Sequence, residues 1–168
     1  MGYDHKYVYS HFGYNLKVTD MQAAIGCAQL QKLPGFVEAR RRNFAYLSER
    51  LQCVREYFIL PEVCENSEPS WFGFMITCRE SVDKNKVVRY LEENGIQTRM
   101  LFAGNLTKQP CFDEMRKTGV GYRIVGELTN TDHIMENTFW IGVYPGMTTE
   151  MLNYMVEKIT ETVSMPCD

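Results

Sequence analysis

Apolar residues recur at helical spacing near both ends of this chain, and stretches of its middle are rich in aromatic and β-favouring residues. Met21, Ala24, Ile25 and Ala28 fall three and four residues apart, the period of one face of an α-helix. Thr19 precedes them and Gln22 follows Thr19 by three, a capping box in which each side chain satisfies a backbone N–H that the first turn leaves unpaired. The spacing predicts a helix over 20–33 with a buried face of mostly small residues. Pro34 suits the opening turn of a second helix, placed at 35–52 with Val37, Phe44, Leu47 and Leu51 inward. Its Arg40-Arg41-Arg42 run reads as a solvated face, with an anion contact as the alternative.

From Tyr57 to Glu68 the pattern is a short strand and then a loop stopped by Pro61 and Glu65-Asn66-Ser67-Glu68-Pro69. Trp71 to Cys78 is rich in aromatic and β-favouring residues and predicts a strand. Asp83 opens a helix through Val87, Val88 and Leu91 that ends at Gly95. Ile96 to Phe102 is a second strand, and 103–123, with Pro110, Gly119 and Gly121, is loop-rich around one helical turn near Phe112 to Lys117. A short helix at 124–136, a strand at Phe139 to Val143 and a long helix capped by Thr148 complete the pattern. Leu152, Met155, Val156, Ile159 and Val163 form the apolar stripe of that last helix. The predicted fold class is α/β (α+β): an N-terminal arm and two helices, then a small mixed or antiparallel sheet with helices packed on one face. The corresponding divisions are an aromatic arm at 1–18, connecting helices at 19–54 and a small C-terminal α/β domain at 55–168.

The arm carries Tyr3, Tyr7, Tyr9, Phe12 and Tyr14, an aromatic density that calls for a partner surface. In an extended segment Tyr7, Tyr9 and His11 share one side. Gly13-Tyr14-Asn15 places a turn and a short amide beside a helix start, where anions are readily bound.

Composition narrows the function classes. With 168 residues, 45% hydrophobic and 23% charged, the chain can bury one sizeable core. A net charge of −3 gives no general attraction to nucleic acid or an anionic membrane. No apolar run reaches membrane-spanning length and the N-terminus lacks a signal-peptide core, so a cytoplasmic location is expected. Gly2 is not a myristoylation signal, since position 6 is Lys. Cys27, Cys53, Cys64, Cys78, Cys111 and Cys167 are scattered, and His5, His11 and His133 lack ligand spacing. Reduced thiols, several of them in the core, are expected rather than a disulfide framework or a metal site.

Three segments resemble one known family. They are His11-Phe12-Gly13-Tyr14-Asn15-Leu16-Lys17-Val18-Thr19-Asp20-Met21-Gln22-Ala23-Ala24-Ile25-Gly26, then Ile96 through Pro110, then Leu128-Thr129-Asn130-Thr131-Asp132 with Phe139-Trp140-Ile141-Gly142-Val143-Tyr144-Pro145-Gly146. Together they are similar to the vitamin B6-dependent sugar aminotransferases and dehydrases of the DegT/DnrJ/EryC1/StrS family. Transaminating members usually have Pro-Leu-His where Asn105-Leu106-Thr107 stands, and Leu-Pro-Leu-Tyr-Pro at the 141–145 position. The departures are closer to the dehydrase branch, of the CDP-4-keto-6-deoxyglucose 3-dehydrase type used in making lipopolysaccharide dideoxysugars.

The resemblance implies the C-terminal domain of an aspartate-aminotransferase-fold enzyme that removes the C3 hydroxyl of a 4-keto-6-deoxy sugar nucleotide. It implies a pyridoxamine or pyridoxal phosphate cofactor, an iron-sulphur cluster in the parent only, a homodimer, a reductase partner and a nucleotide-sugar substrate. The family's base and cluster cysteines lie upstream of the first matched block, so the chain alone is expected to hold neither cofactor and to be inactive. Carried over position by position, Asn15 matches an asparagine that reaches the neighbouring subunit's cofactor phosphate. Lys17 stands where an arginine is common, keeping the charge but losing the bidentate fork. Arg99, Asn105, Lys108 and Tyr144 would line the nucleotide-sugar cleft. Read as residues alone, Arg99 and Lys108 are solvated charges and Asn105 beside Gly104 is a turn residue. A sugar aminotransferase domain and a non-catalytic binding or dimerisation module of the same fold remain the alternatives.

Overall fold

The computed structural model describes residues 11, 13–14 and 16–164; Asn15, Cys167 and most of the aromatic arm lie outside them. Contacts divide the chain into two units, Met1–Pro34 and Gly35–Asp168.

In the N-terminal unit the capping box forms as expected. Thr19 N–H donates to Gln22 Oε1 at 3.0 Å, and Gln22 N–H donates to Thr19 Oγ1 at 3.4 Å. Helix α1 begins there and runs Asp20–Arg50, with Pro34 inside it. The two predicted helices are therefore one. A proline in a helix interior costs about 3 kcal/mol, yet Pro34 and the Leu30 carbonyl that lacks its N–H both lie on exposed residues, so water can take the orphaned oxygen. The small-residue face expected to be buried is exposed, with Met21 at 79% and Ile25 at 65%. Among the described residues this unit holds no second element to cover it.

The C-terminal unit is a four-stranded antiparallel sheet in the order β1-β2-β4-β3, comprising β1 (Phe58–Ile59), β2 (Gly73–Cys78), β3 (Thr98–Met100) and β4 (Thr138–Gly142). Both β2 and β3 pair antiparallel with β4, so they run parallel to each other with β4 inserted between them, a split β-α-β arrangement. The crossover is α2 (Lys84–Glu93). Its cap is Asp83, whose carboxylate accepts the N–H groups of Asn85 and Lys86, and Gly95 takes a positive φ of 75° just beyond its end. Two 3-10 turns, Leu106–Lys108 and Pro110–Phe112, lead into helix α3 (Asp113–Thr118), α4 (Thr129–Asn137) leads into β4, and α5 (Thr149–Ser164) follows with Thr148 Oγ1 accepting from Met151 N–H. The expected start of α4 at 124 is displaced by Gly126, whose left-handed φ of 72° cannot sit inside a helix.

Alternation along the strands separates two faces. Phe74, Ile76 and Cys78 of β2 and Phe139 and Ile141 of β4 are fully buried. They meet Phe44 and Leu47 from the end of α1, Leu51 of the 3-10 turn that follows it, Val87 and Leu91 of α2, and Leu152, Met155 and Ile159 of α5. The Phe44 ring packs 4.3 Å from Trp71 and 5.0 Å from Phe74. Asn43, 2% exposed, donates its amide to the Tyr144 carbonyl at 2.9 Å and so ties α1 to the turn after β4. The arginine run is not merely solvated: Arg41 donates to the Glu68 and Pro69 carbonyls and pairs with the Glu68 carboxylate at 3.3 Å. Of the five described cysteines only Cys78 is in the core, and burial pushes its thiol up to about 11. The other four are exposed, against the expectation that several would be internal.

Candidate functional site

The opposite face of the sheet carries the side chains that the core does not use. In register, Arg99 of β3 faces Trp140 of β4, which faces Met75 of β2. Gly73 gives the indole its room: a Cβ there would come within 2.6 Å of Trp140 Cε3. The Phe72 ring meets the same indole edge-on at 5.3 Å. Trp140 Nε1 is buried without a hydrogen-bond partner among the described residues, which is uncommon for an indole.

Two depressions share Trp140 as a wall. One, of about 320 Å³, is lined by Gln97, Arg99, Tyr144, Met151 and Tyr154 among others. The second, of about 110 Å³, is lined by Pro61, Trp71, Phe72, Met75, Leu101 and Phe102. Arg99 is exposed and makes no hydrogen bond or ion pair among the described residues. Its strand is held from behind: Glu92 accepts Thr98 N–H at 2.6 Å and Thr98 Oγ1 at 2.7 Å. The Thr98 hydroxyl first, and then its N–H, hold the Glu92 carboxyl below the ordinary range.

Of the residues singled out in the sequence, the structure brings Arg99 and Tyr144 together along the first depression. It places Asn105 and Lys108 in a separate cluster against α4. Asn105 is 2% exposed, its Oδ1 accepts Thr107 N–H and Oγ1, and its Nδ2 donates to Asp132 Oδ1 at 2.7 Å. Its own N–H points at Met135 Sδ, 3.3 Å away; a proline at 105 would supply neither that N–H nor the amide. Lys108 pairs with Asp132 at 2.9 Å. Asn105 first, then Lys108, holds the Asp132 carboxyl below its usual range. This amide is committed to shaping the loop, and Lys108 to Asp132. Lys17 belongs to the N-terminal unit and is exposed, and Asn15 lies outside the described residues.

A B6 cofactor requires a cradle for its phosphate and a group in reach of its aldehyde or amine. Neither depression is lined by a lysine or histidine. Among the described residues there is also no cluster of three or more His, Cys, Asp or Glu placed to bind a metal, and no helix long and apolar enough to cross a membrane.

Sequence reasoning missed Trp140, Phe72 and Phe102. The signal available for Trp140 was alternation: with Phe139 and Ile141 turned to the core, Trp140 had to face away. Phe102 gave none, because its left-handed φ of 49° is a property of the backbone.

Comparison with known proteins places this architecture. The DegT/DnrJ/EryC1/StrS aminotransferase family model matches residues 1–160, and the chain belongs to that family. It is 59% identical over 162 residues to the lipopolysaccharide biosynthesis protein RfbH of Salmonella typhimurium, covering 95% of this chain and 36% of the relative. It is 47% identical over 165 residues to dTDP-4-dehydro-2,6-dideoxy-D-glucose 3-dehydratase of Saccharopolyspora spinosa, covering 97% of this chain and 34% of the relative. Among solved structures, GDP-4-keto-6-deoxymannose-3-dehydratase with a trapped PLP-glutamate geminal diamine superposes with a TM-score of 0.74 at 28% identity, over 88% of this chain and 37% of that one. The fold is that of aspartate-aminotransferase-type B6 enzymes. The chain spans about a third of the length of the curated relatives it matches.

Proposed function

We propose that this chain contributes the C-terminal domain of a B6-dependent nucleotide-sugar 3-dehydrase, which removes the C3 hydroxyl of a 4-keto-6-deoxy sugar nucleotide on the route to lipopolysaccharide dideoxysugars. The single observation that carries the reading is that 97% of the chain matches, at 47% identity, a protein named as a sugar 3-dehydratase. Bound pyridoxamine phosphate supplies the electron sink for loss of the hydroxyl. The chain's own task is to bind and orient: Arg99 offers an unpaired cation and Tyr144 a hydroxyl on one depression of the sheet. The cofactor-holding base, the iron-sulphur ligands and the contact with a reductase belong, in this proposal, to sequence outside the chain. Asn15 and Lys17 contribute to the phosphate site of the neighbouring subunit of a homodimer.

The test uses the protein translated from the whole reading frame that carries this chain. It is loaded with pyridoxamine phosphate and supplied with CDP- or dTDP-4-keto-6-deoxyglucose and a reductase as electron source, and the sugar is followed by mass spectrometry. Loss of one oxygen at C3 supports the proposal. A 4-amino sugar formed from an amino donor assigns an aminotransferase instead, and an unchanged sugar assigns a non-catalytic module. The cross-subunit role has its own readout: mixed dimers of Asn15→Ala subunits with subunits lacking the base retain one working site if Asn15 acts in trans. Mixed dimers that assemble but are as inactive as either homodimer overturn it.

A further inference from the structure

We propose, resting on the nucleotide-sugar reading above, that Trp140 divides one elongated site in which a nucleoside diphosphate lies across the sheet. Its base sits between Phe72 and Phe102 and its diphosphate sits against Arg99. Three observations converge on this. The two depressions share the Trp140 indole as their common wall, so a ligand seated in one can continue into the other. Arg99 lies directly across the β3–β4 ladder from that indole and is unpaired among the described residues; a guanidinium without a carboxylate suits the planar, bidentate recognition of phosphate oxygens. Phe102 is 76% exposed while its backbone holds a φ of 49°, a conformation that a bulky residue adopts only where the surroundings impose it. Such an exposed aromatic face is suited to stacking, which every nucleobase permits.

The occupant is chosen by charge as well as shape. An apolar segment of protein would leave the Arg99 guanidinium uncompensated beside it, whereas a nucleoside diphosphate matches an aromatic depression on one side of the indole and a cation on the other. The larger depression reaches the lower end of the roughly 300–1,000 Å³ range of ligand sites. Two features prearrange the site. Gly73 lets the indole lie flat against the sheet, and the Glu92–Thr98 bonds anchor the residue before Arg99.

The chain is titrated with CDP, dTDP, the corresponding nucleosides and inorganic pyrophosphate while the two indole N–H resonances are followed by nitrogen-15 NMR. The Trp140→Phe variant assigns which resonance is lost. The expected result is a saturable shift of the Trp140 signal by the diphosphates, with weaker binding by nucleoside or pyrophosphate alone. Arg99→Ala should weaken the diphosphates by about tenfold to a hundredfold, the loss of a charge-assisted hydrogen bond, and leave the nucleosides unchanged. Phe102→Ala should weaken nucleosides and diphosphates alike by about fivefold to a hundredfold and leave pyrophosphate unchanged. Both positions are exposed, and unaltered spectra elsewhere show that the fold is retained. The subsite is overturned by no saturable shift, or by diphosphate binding that neither substitution alters. If the complete reading frame nevertheless dehydrates the nucleotide-sugar, the function stands and only the subsite falls. If that protein leaves the sugar unchanged, the reading on which the proposal rests has failed. If exchange protection of Phe72, Met75 and Phe102 is conferred by added polypeptide instead of by nucleotide, the face is a protein interface and the proposal is wrong.

Discussion

Asn43→Ala is the most direct probe of how the core positions the candidate site. The Asn43 side chain is almost wholly buried and spends its amide on the carbonyl of Tyr144, a bond spanning 101 residues of sequence at 2.9 Å. Alanine removes the donor and leaves that carbonyl facing an apolar gap. Leaving a buried acceptor unpaired costs about 1–3 kcal/mol. Because the bond is partly buried, the middle of the range applies, about 2 kcal/mol, which for a domain of this size lowers the melting temperature by about 4–8 °C. Thermal and urea unfolding followed by circular dichroism measure this directly. Asn43→Asp sharpens the test. A carboxylate cannot donate to the carbonyl, so burial and the facing oxygen raise the folded-state pKa of the introduced group above its unfolded value. A raised folded pKa means that the variant's deficit relative to the parent is smallest below about pH 4 and grows as pH rises through the folded pKa. If Asn43→Ala stays within about 0.5 kcal/mol of the parent and Asn43→Asp shows no such slope, the bond is ornamental and the Tyr144 turn is held by something else.

Three further outcomes are expected. Cys27, Cys53, Cys64 and Cys111 should react with a thiol reagent in the native chain, while Cys78, fully buried with its thiol pushed up to about 11, reacts only on unfolding; peptide mapping that finds Cys78 among the first labelled would show that the core opens at β2. Glu92, its carboxyl held low by Thr98, contributes stability that is present above its unfolded value of about pH 4.3 and is lost as pH falls through the folded pKa. The stability difference between the parent and Glu92→Gln should therefore shrink on acidification, and a difference that is flat with pH in urea melts would refute the assignment. Gly104→Ala forces a side chain onto a φ of 62° and a Cβ within 2.3 Å of Met135 Cγ, so a loss of more than about 1 kcal/mol is expected; an unchanged melting temperature would show that Met135 can move aside.

Where burial is local, the sequence revealed the structure well. The capping box at Thr19, the Asp83 cap, the Gly95 terminator and the stripe of α5 depend on residues within a turn or two of each other, and each appears as read. The β2 strand also followed, from its aromatic and β-favouring residues. The helix runs through Pro34 although Gly35 follows it, because the residue whose carbonyl it orphans is exposed to water, so the proline interrupts one hydrogen bond without ending the helix. Asn105 reads locally as a turn residue, yet the donor and the acceptor that engage its side chain, Thr107 and Asp132, include one 27 positions away, a separation that no local pattern encodes. Arg99 and Tyr144 are singled out by family likeness, whereas the place of Trp140 between Arg99 and the aromatic depression emerges only once β4 is seen to insert between β2 and β3.

That insertion also governs how the sheet meets other chains. Its long strands, β2 and β4, are both interior, and the rims are β1 of two residues and β3 of three. A rim this short offers too few unpaired amide and carbonyl groups for a foreign strand to lengthen the ladder. The molecule can thus leave a broad aromatic and apolar sheet face open without inviting edge-to-edge growth, and association is directed to side-chain surfaces, where shape and charge select the partner.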